Sequence, residues 1–312
     1  MRHAEIRLVG VQKNILMLDT ETVRRKNCHM KLKPFLILAI PLTAILYLLA
    51  SAMVLSRPVF SVHDGKRISF NDMIKAVQGT DFVFIGEIHD DPDSHLLELG
   101  TIKALRASGS LGAIGLEMFR EDSQHILDAW VSGTLPLDQF LPVYYDNWRI
   151  AWPLYRDIFL YARKHKITLV GLNISDGISA AVAKNGFSSL DAEERKKLPP
   201  NITCTVDPTY MQFIKRAYAG HAPGMDKKFL NFCEAQMVWD KSMAWNLIRY
   251  RKEHPGKTIA ILAGVGHAWK RGIPEQVSQQ SSYTFKVVMP IVPDQLDPRS
   301  VSAGDADYIV LD

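Results

Sequence analysis

The sequence predicts an α/β fold: a mostly parallel central sheet flanked by helices, with a helical insertion or lid ahead of the last strand, the one ending in Gly-x-Gly-His. Three observations lead there. Runs opening at Phe82, Ala113, Thr168 and Thr258 are continuously apolar and rich in Val, Ile and Leu, as strands buried on both faces of a parallel sheet are. Segments with a helical period separate the first three runs, and a mainly helical block precedes the fourth. Each run also exits through glycine followed by, or close to, a polar or ionisable residue. The ligand crevice of an open α/β sheet lies outside the carboxyl ends of its strands.

Taken in order, residues 1–29 are polar, lack clear periodicity and do not read as a leader, so translation is expected to begin at Met30. Residues 30–57 then read as a signal peptide. Lys31 and Lys33 precede the uncharged stretch Phe35–Ala50, and Ala50-Ser51-Ala52 offers an A-x-A cleavage site. A start at Met1 would favour an uncleaved signal anchor instead. Either way the body, residues 58–312, is expected to be exported, periplasmic or membrane-attached, with the positive flank cytoplasmic. No cysteine follows the apolar core, so lipoprotein processing is not expected there.

From Pro58 onward the α/β pattern sets in. Asp64-Gly65 centres a small hairpin over 62–69, and Phe70–Val77 reads as a helix capped at Ser69 or Asn71. The first buried strand is expected over 81–86, a helix over 94–107, and a second strand over 113–117 completing a βαβ unit. A helix over 123–132 stops at Gly133, and an aromatic-rich segment follows over 140–155. Pro153 opens a helix to about Lys166, leading to the third strand, 168–172. Residues 174–256 read as a helical subdomain with helices over 177–184, 191–197, 208–219 and 227–253. The fourth strand is 257–263, with a further strand over 285–289 and an edge strand over 308–311.

The chain has 312 residues, 47% hydrophobic and 22% charged, which is globular composition with ample material for a core. Its net charge of +4 is concentrated ahead of Pro58. A near-neutral body gives no electrostatic footprint for nucleic acid, and that class is excluded as a partner. Cysteines are few: Cys28, Cys204 and Cys233, without CxxC, CxxCH or zinc-finger spacing. Export would permit a Cys204–Cys233 disulfide, but Cys233 lies in a helical pattern and is expected to pack as a small hydrophobe.

Chemistry concentrates at the strand ends. Gly86-Glu87-Ile88-His89 places an acid and an imidazole just past a strand, where a solvated cap would not need to follow Phe-Ile-Gly. Asp91, Asp93 and His95, slightly further on, are expected to serve the start of the next helix. Glu117 is a lone carboxylate in apolar sequence. It needs a ligand, a metal or a partner such as Arg120 or Arg149. His267 follows two glycines flanking one small residue, consistent with close approach to something bound. Glu87, His89, Glu117 and His267 are therefore expected to share one pocket.

Together, Gly86-Glu87-Ile88-His89-Asp90, Gly115-Leu116-Glu117-Met118-Phe119, Tyr155-Arg156, Ala235-Gln236-Met237-Val238-Trp239-Asp240 and Ala263-Gly264-Val265-Gly266-His267 with Arg271-Gly272-Ile273-Pro274 resemble a known pattern. From about Phe82 to Met289 the chain is similar to the ChaN-like haem-binding uptake family of the Tiki/TraB/erythromycin-esterase-like superfamily. That resemblance implies an exported protein of iron or haem acquisition, with haem held by a tyrosine ligand. It also implies outer-membrane or other haem-uptake components, or a second copy of the chain, as partners. Tyr144, Tyr145 and Tyr155 are the candidate ligands, with Trp148 and Trp152 beside them to suit a porphyrin face. Arg149 or Arg156 would pair with a propionate. The competing reading is an ordinary amphipathic segment whose Trp and Tyr cover the sheet, and for any single tyrosine that reading outranks ligation. The resemblance further implies a superfamily pocket of His89, Glu117 and His267. In the alternative reading, a hydrolase, these ligate a divalent metal ion while Glu87 or Glu117 activates water. Family members are often lipoproteins, and the missing cysteine is a departure from that habit.

Overall fold

A computed structural model describes residues 57–217, 227–293 and 295–311. The upstream extension and nearly all of the leader (residues 1–56) lie outside the described residues, as do 218–219 of the helix expected to end there. Among the described residues no helix is long and apolar enough to cross a membrane.

The chain opens with a hairpin, β1 (Pro58–Ser61) and β2 (Lys66–Ser69), and helix α1 (Phe70–Val77), whose first turn is capped by Ser69 Oγ accepting from Asp72 N–H at 3.1 Å. Strand β3 (Phe82–Glu87) leads to α2 (Pro92–Ala107). There Asp91 caps the helix by accepting from the Asp93 and Ser94 N–H groups, as expected of it. After β4 (Leu111–Arg120) come α3 (Gln124–Ser132), α4 (Leu137–Asn147), α5 (Trp152–His165) and β5 (Thr168–Asn173). Helices α6 (Asp176–Asn185), α7 (Ala192–Lys196), α8 (Pro208–Ala217) and α9 (Lys227–Glu253) form the block ahead of β6 (Thr258–Gly264). A short α10 (Val265–Ala268), α11 (Ile273–Gln280), β7 (Phe285–Pro290) and β8 (Tyr308–Val310) complete the domain.

The eight strands form one sheet in the order β2-β1-β8-β7-β3-β6-β4-β5, parallel from β8 to β5, with the β1–β2 hairpin antiparallel at one edge. The sheet is thus mostly parallel and flanked by helices, in agreement with the sequence. Every residue of β3 and β6 is buried, because helices cover both faces. The pleat splits β3 between two cores: Val83 and Ile85 join the one under α1–α5, and Phe82 and Phe84 the one under α8, α9 and α11. Cys233 packs in the second core, and burial pushes its thiol up to about 12. Ile178 and Val182 of α6, with Leu190 and Leu198 on either side of α7, pack a small third core against Ala235 and Val238 of α9.

Three local expectations change. Strand β8 is not at the edge: the hairpin extends the sheet beyond it. Strands β3 and β4 are not neighbours, because β6 is inserted between them, and this brings their three carboxyl ends side by side. The aromatic segment contains a helix, α4, despite Pro142 in its interior; buried Phe140 and Tyr144 anchor it and offset the lost backbone hydrogen bond.

Candidate haem and proton-handling site

The site lies at the carboxyl ends of β3, β6 and β4. Glu87 and Gly264 are register partners on β3 and β6, and Glu117 projects from adjacent β4. Glu117 is buried, and its Oε2 accepts the Gly264 N–H at 2.6 Å. Its other oxygen is 3.8 Å from His267 Nε2. Neither arginine named as a possible partner fills that role. Arg120 pairs with Asp122 and Asp146, and Arg149 is exposed on the rim of a cleft.

Both site histidines are anchored through Nδ1 by a buried carboxylate. His89 Nδ1 is 2.7 Å from Glu87 Oε1, and His267 Nδ1 is 2.6 Å from Asp240 Oδ1. Asp240 also accepts from the Tyr210 hydroxyl at 3.2 Å. His267 thereby presents Nε2 to Glu117, and the His89 ring lies with its Cε1 and Nε2 against Gly264. Gly264 is required for this closeness: a Cβ there would stand 2.7 Å from His89 Cε1 and 2.9 Å from its Nε2. Glu87, His89, Glu117 and His267 are thus brought together in one cluster, beside rather than within the cleft that adjoins it.

Charge follows this geometry. Burial works against a charged His267, but the Glu117 and Asp240 carboxylates outweigh it and lift the imidazole to about 9. His89 is likewise raised: burial opposes the charge, and the Glu87 hydrogen bond and the Glu117 charge prevail. Burial raises Asp240, partly offset by His267. Burial alone would push Glu87 up, yet its hydrogen bond with His89 and the adjacent His95 imidazole hold it down to about 2.

An open cleft of about 400 Å³ adjoins this cluster, within the ordinary range of ligand sites. Its lining includes Trp148, Ile150, Ala180, Ala183, Phe232, Ala235 and Trp239, with Arg149 at the rim. The two indoles tie cleft to cluster. Trp148 meets His89 edge-on at 5.0 Å between ring centres, and Trp239 meets His267 in the same way at 5.0 Å. The Trp239 indole N–H also donates to the Asn173 side chain, whose amide in turn donates to the Glu117 carbonyl at 2.7 Å.

A family model described as haem-binding uptake, Tiki superfamily, ChaN matches residues 73–277, more than half of the chain. The chain belongs to this family. A solved structure of ChaN from Campylobacter jejuni, with cofacial haem binding, is 22% identical and covers 81% of this chain and 95% of its own, with a TM-score of 0.63; it shares the fold. An erythromycin esterase, EreC, in its open conformation covers 75% of this chain and 76% of its own at 15% identity and a TM-score of 0.46. A search of curated proteins gave no match.

The lining suits the ligand class of the ChaN family: indole and alanine surfaces for a flat apolar ring, and a guanidinium at the rim for a carboxylate. The tyrosines separate clearly. Tyr144 is buried and donates to the Ile150 carbonyl at 3.0 Å, and Tyr155 is buried and donates to Glu87 at 2.6 Å. Burial, reinforced by neighbouring negative charge, raises both phenols and opposes the phenolate. With Trp152 they pack in the core, as the cover reading has it. Tyr145 is 46% exposed, its hydroxyl accepting from the Trp152 N–H. Arg156 is exposed and paired with Asp157.

The sequence reading missed several members of the site. Asp240 sits inside a long helix between Trp239 and Lys241, and ending the Ala235–Asp240 stretch is the one sequence signal it carries. His95, expected near a helix cap, is instead buried beside Glu87 and Glu98.

Proposed function

We propose that this chain is an exported haem-binding protein of iron or haem acquisition, holding haem against Trp148 and Trp239 with Tyr145 as the iron ligand. The observation that carries this reading is the apolar cleft walled by two indoles at the sheet's carboxyl edge, in a chain of the ChaN family. Tyr145 is preferred because the hydroxyls of Tyr144 and Tyr155 are committed inside the protein. Arg149 would pair with a propionate. Bound haem would be cargo, and the protein's part is to shield one porphyrin face and supply an oxygen ligand. The cofacial haem binding of the Campylobacter protein suggests that two copies of this chain, each bringing one haem, form the loaded state.

The expected outcome is that Tyr145→Phe removes the phenolate charge-transfer band of the haem complex, while His267→Ala leaves the spectrum largely intact. An unaltered spectrum in Tyr145→Phe would refute the ligand assignment. Export rests on the leader pattern, Lys31 and Lys33 before Phe35–Ala50. N-terminal sequencing of the expressed protein should find no fragment beginning upstream of Met30, and finding one would refute that start.

A second reading, a metal-dependent hydrolase, is favoured by one observation. Two carboxylate-anchored imidazoles stand beside one buried carboxylate, His267 with its Nε2 3.8 Å from Glu117 and His89 with its Nε2 against Gly264, the kind of anchoring by which outer carboxylates prepare histidines for metal. Here His89, Glu117 and His267 would hold the ion. Hydrolysis lost in His89→Ala, Glu117→Ala and His267→Ala, yet retained in Tyr145→Phe, would favour it over the haem carrier.

A further inference from the structure

Around the Glu87 carboxylate that holds His89 Nδ1 lies a cluster that neither reading uses as a ligand site. Glu87 ends β3, and His95 and Glu98 stand three residues apart on α2, on one side of the helix. All three are buried, with 1%, 5% and 0% of their surface exposed. His95 Nε2 lies 3.1 Å from the His89 carbonyl, and a carbonyl can only accept, so that nitrogen carries a proton. Its Nδ1 consequently faces the acids, 3.0 Å from Glu98 Oε2 and 3.2 Å from Glu87 Oε2. The other oxygen of Glu87 is fully engaged by Tyr155 at 2.6 Å and His89 at 2.7 Å. Glu87 Oε2 and Glu98 Oε1, both buried, are left without a hydrogen bond. Among the described residues, these are the three whose donor atoms all lie within 4.8 Å of one another.

We infer that Glu87, His95 and Glu98 form a buried site for a first-row divalent cation, bound through His95 Nδ1 and one oxygen from each glutamate. The supporting contacts are those that orient metal ligands. A backbone carbonyl fixes the far nitrogen of the histidine, and a phenol and an imidazole hold the non-ligating oxygen of Glu87. Two carboxylates, a neutral imidazole and a dication sum to zero charge, which suits a buried site better than two adjacent acids do. Nitrogen and oxygen donors without thiolate favour zinc, manganese or ferrous iron over cuprous copper. The inference is independent of where haem binds.

The test uses the full chain, stripped with chelator and titrated with Co²⁺ as the probe. One equivalent per chain is expected, with visible d–d bands. Glu98→Gln and His95→Asn should each weaken binding by about 100-fold or more, at or beyond what losing a merely supporting residue costs. Glu117→Gln and His267→Asn should bind Co²⁺ as the parent chain does. Absence of saturable uptake would overturn the proposal and leave a proton-sharing pair of acids. Uptake insensitive to Glu98→Gln, or abolished by Glu117→Gln, would also overturn it, the latter assigning the ion to the strand-end set. Glu98→Gln preserves volume, and circular dichroism checks its fold. Should it fail to fold, anomalous scattering from Co²⁺-soaked crystals decides: a peak among Glu87, His95 and Glu98 supports the site, and a peak elsewhere or none refutes it.

Discussion

Glu87→Ala is expected to destabilise the fold by about 3–5 kcal/mol, the range for removing one partner from a buried charged pair. The carboxylate is a node. It takes the Tyr155 hydroxyl, the His89 imidazole and the charge of His95, and it ties β3 to α5 and α2. Removing it strands a buried phenol and leaves His89 without its anchor. Glu87→Gln keeps the volume and an acceptor for Tyr155, so it should cost distinctly less. Denaturant unfolding of the two variants against the parent chain measures both. A Glu87→Ala protein within about 1 kcal/mol of the parent, the ordinary scale of a single substitution, would mean the node is not holding the sheet edge together.

Stability should also fall as pH rises through the alkaline range. His267 titrates near 6.5 when exposed and is lifted to about 9 in the fold, because Glu117 and Asp240 outweigh its burial. A histidine raised in this way contributes stability that is fully present below 6.5 and is lost as pH climbs through about 9. At 1.36 kcal/mol for each unit of displacement, the loss is on the order of 3 kcal/mol. Asp240, raised by burial, has the same sign, but its window opens at the ordinary carboxyl value of 3.8, so it is not counted in the alkaline loss; the two groups share one hydrogen bond and titrate as a pair. Calorimetry of metal-free protein across this window should show a falling Tm, flattened in His267→Asn. A level or rising Tm in the parent chain would contradict the charged Asp240–His267 pair.

The fold was legible because its signals are local. Continuous apolar runs marked β3 to β6, and Gly133, Ser69 and Asp91 marked helix ends through backbone geometry and capping. What stayed hidden depends on tertiary order. Nothing in the runs themselves says that β6 lies between β3 and β4, yet that insertion makes Glu87, Gly264 and Glu117 neighbours. Helix α4 was obscured by Pro136 and Pro142, which speak against a helix locally, while Phe140 and Tyr144 secure it by burial. Glu98 sits in a helix among leucines and Asp240 in one between Trp239 and Lys241, where an acid could as well face solvent. Only packing shows that they face a histidine. Tyr144 and Tyr155 looked equivalent to Tyr145 in the sequence, and burial alone distinguishes them.

The most direct test of the central claim is a titration of the full chain with haemin, following the Soret and charge-transfer bands together with sedimentation. Saturation at one haem per chain is expected, with a high-spin, phenolate-like spectrum and a loaded species of twice the mass. Absence of any saturable spectral change would contradict it.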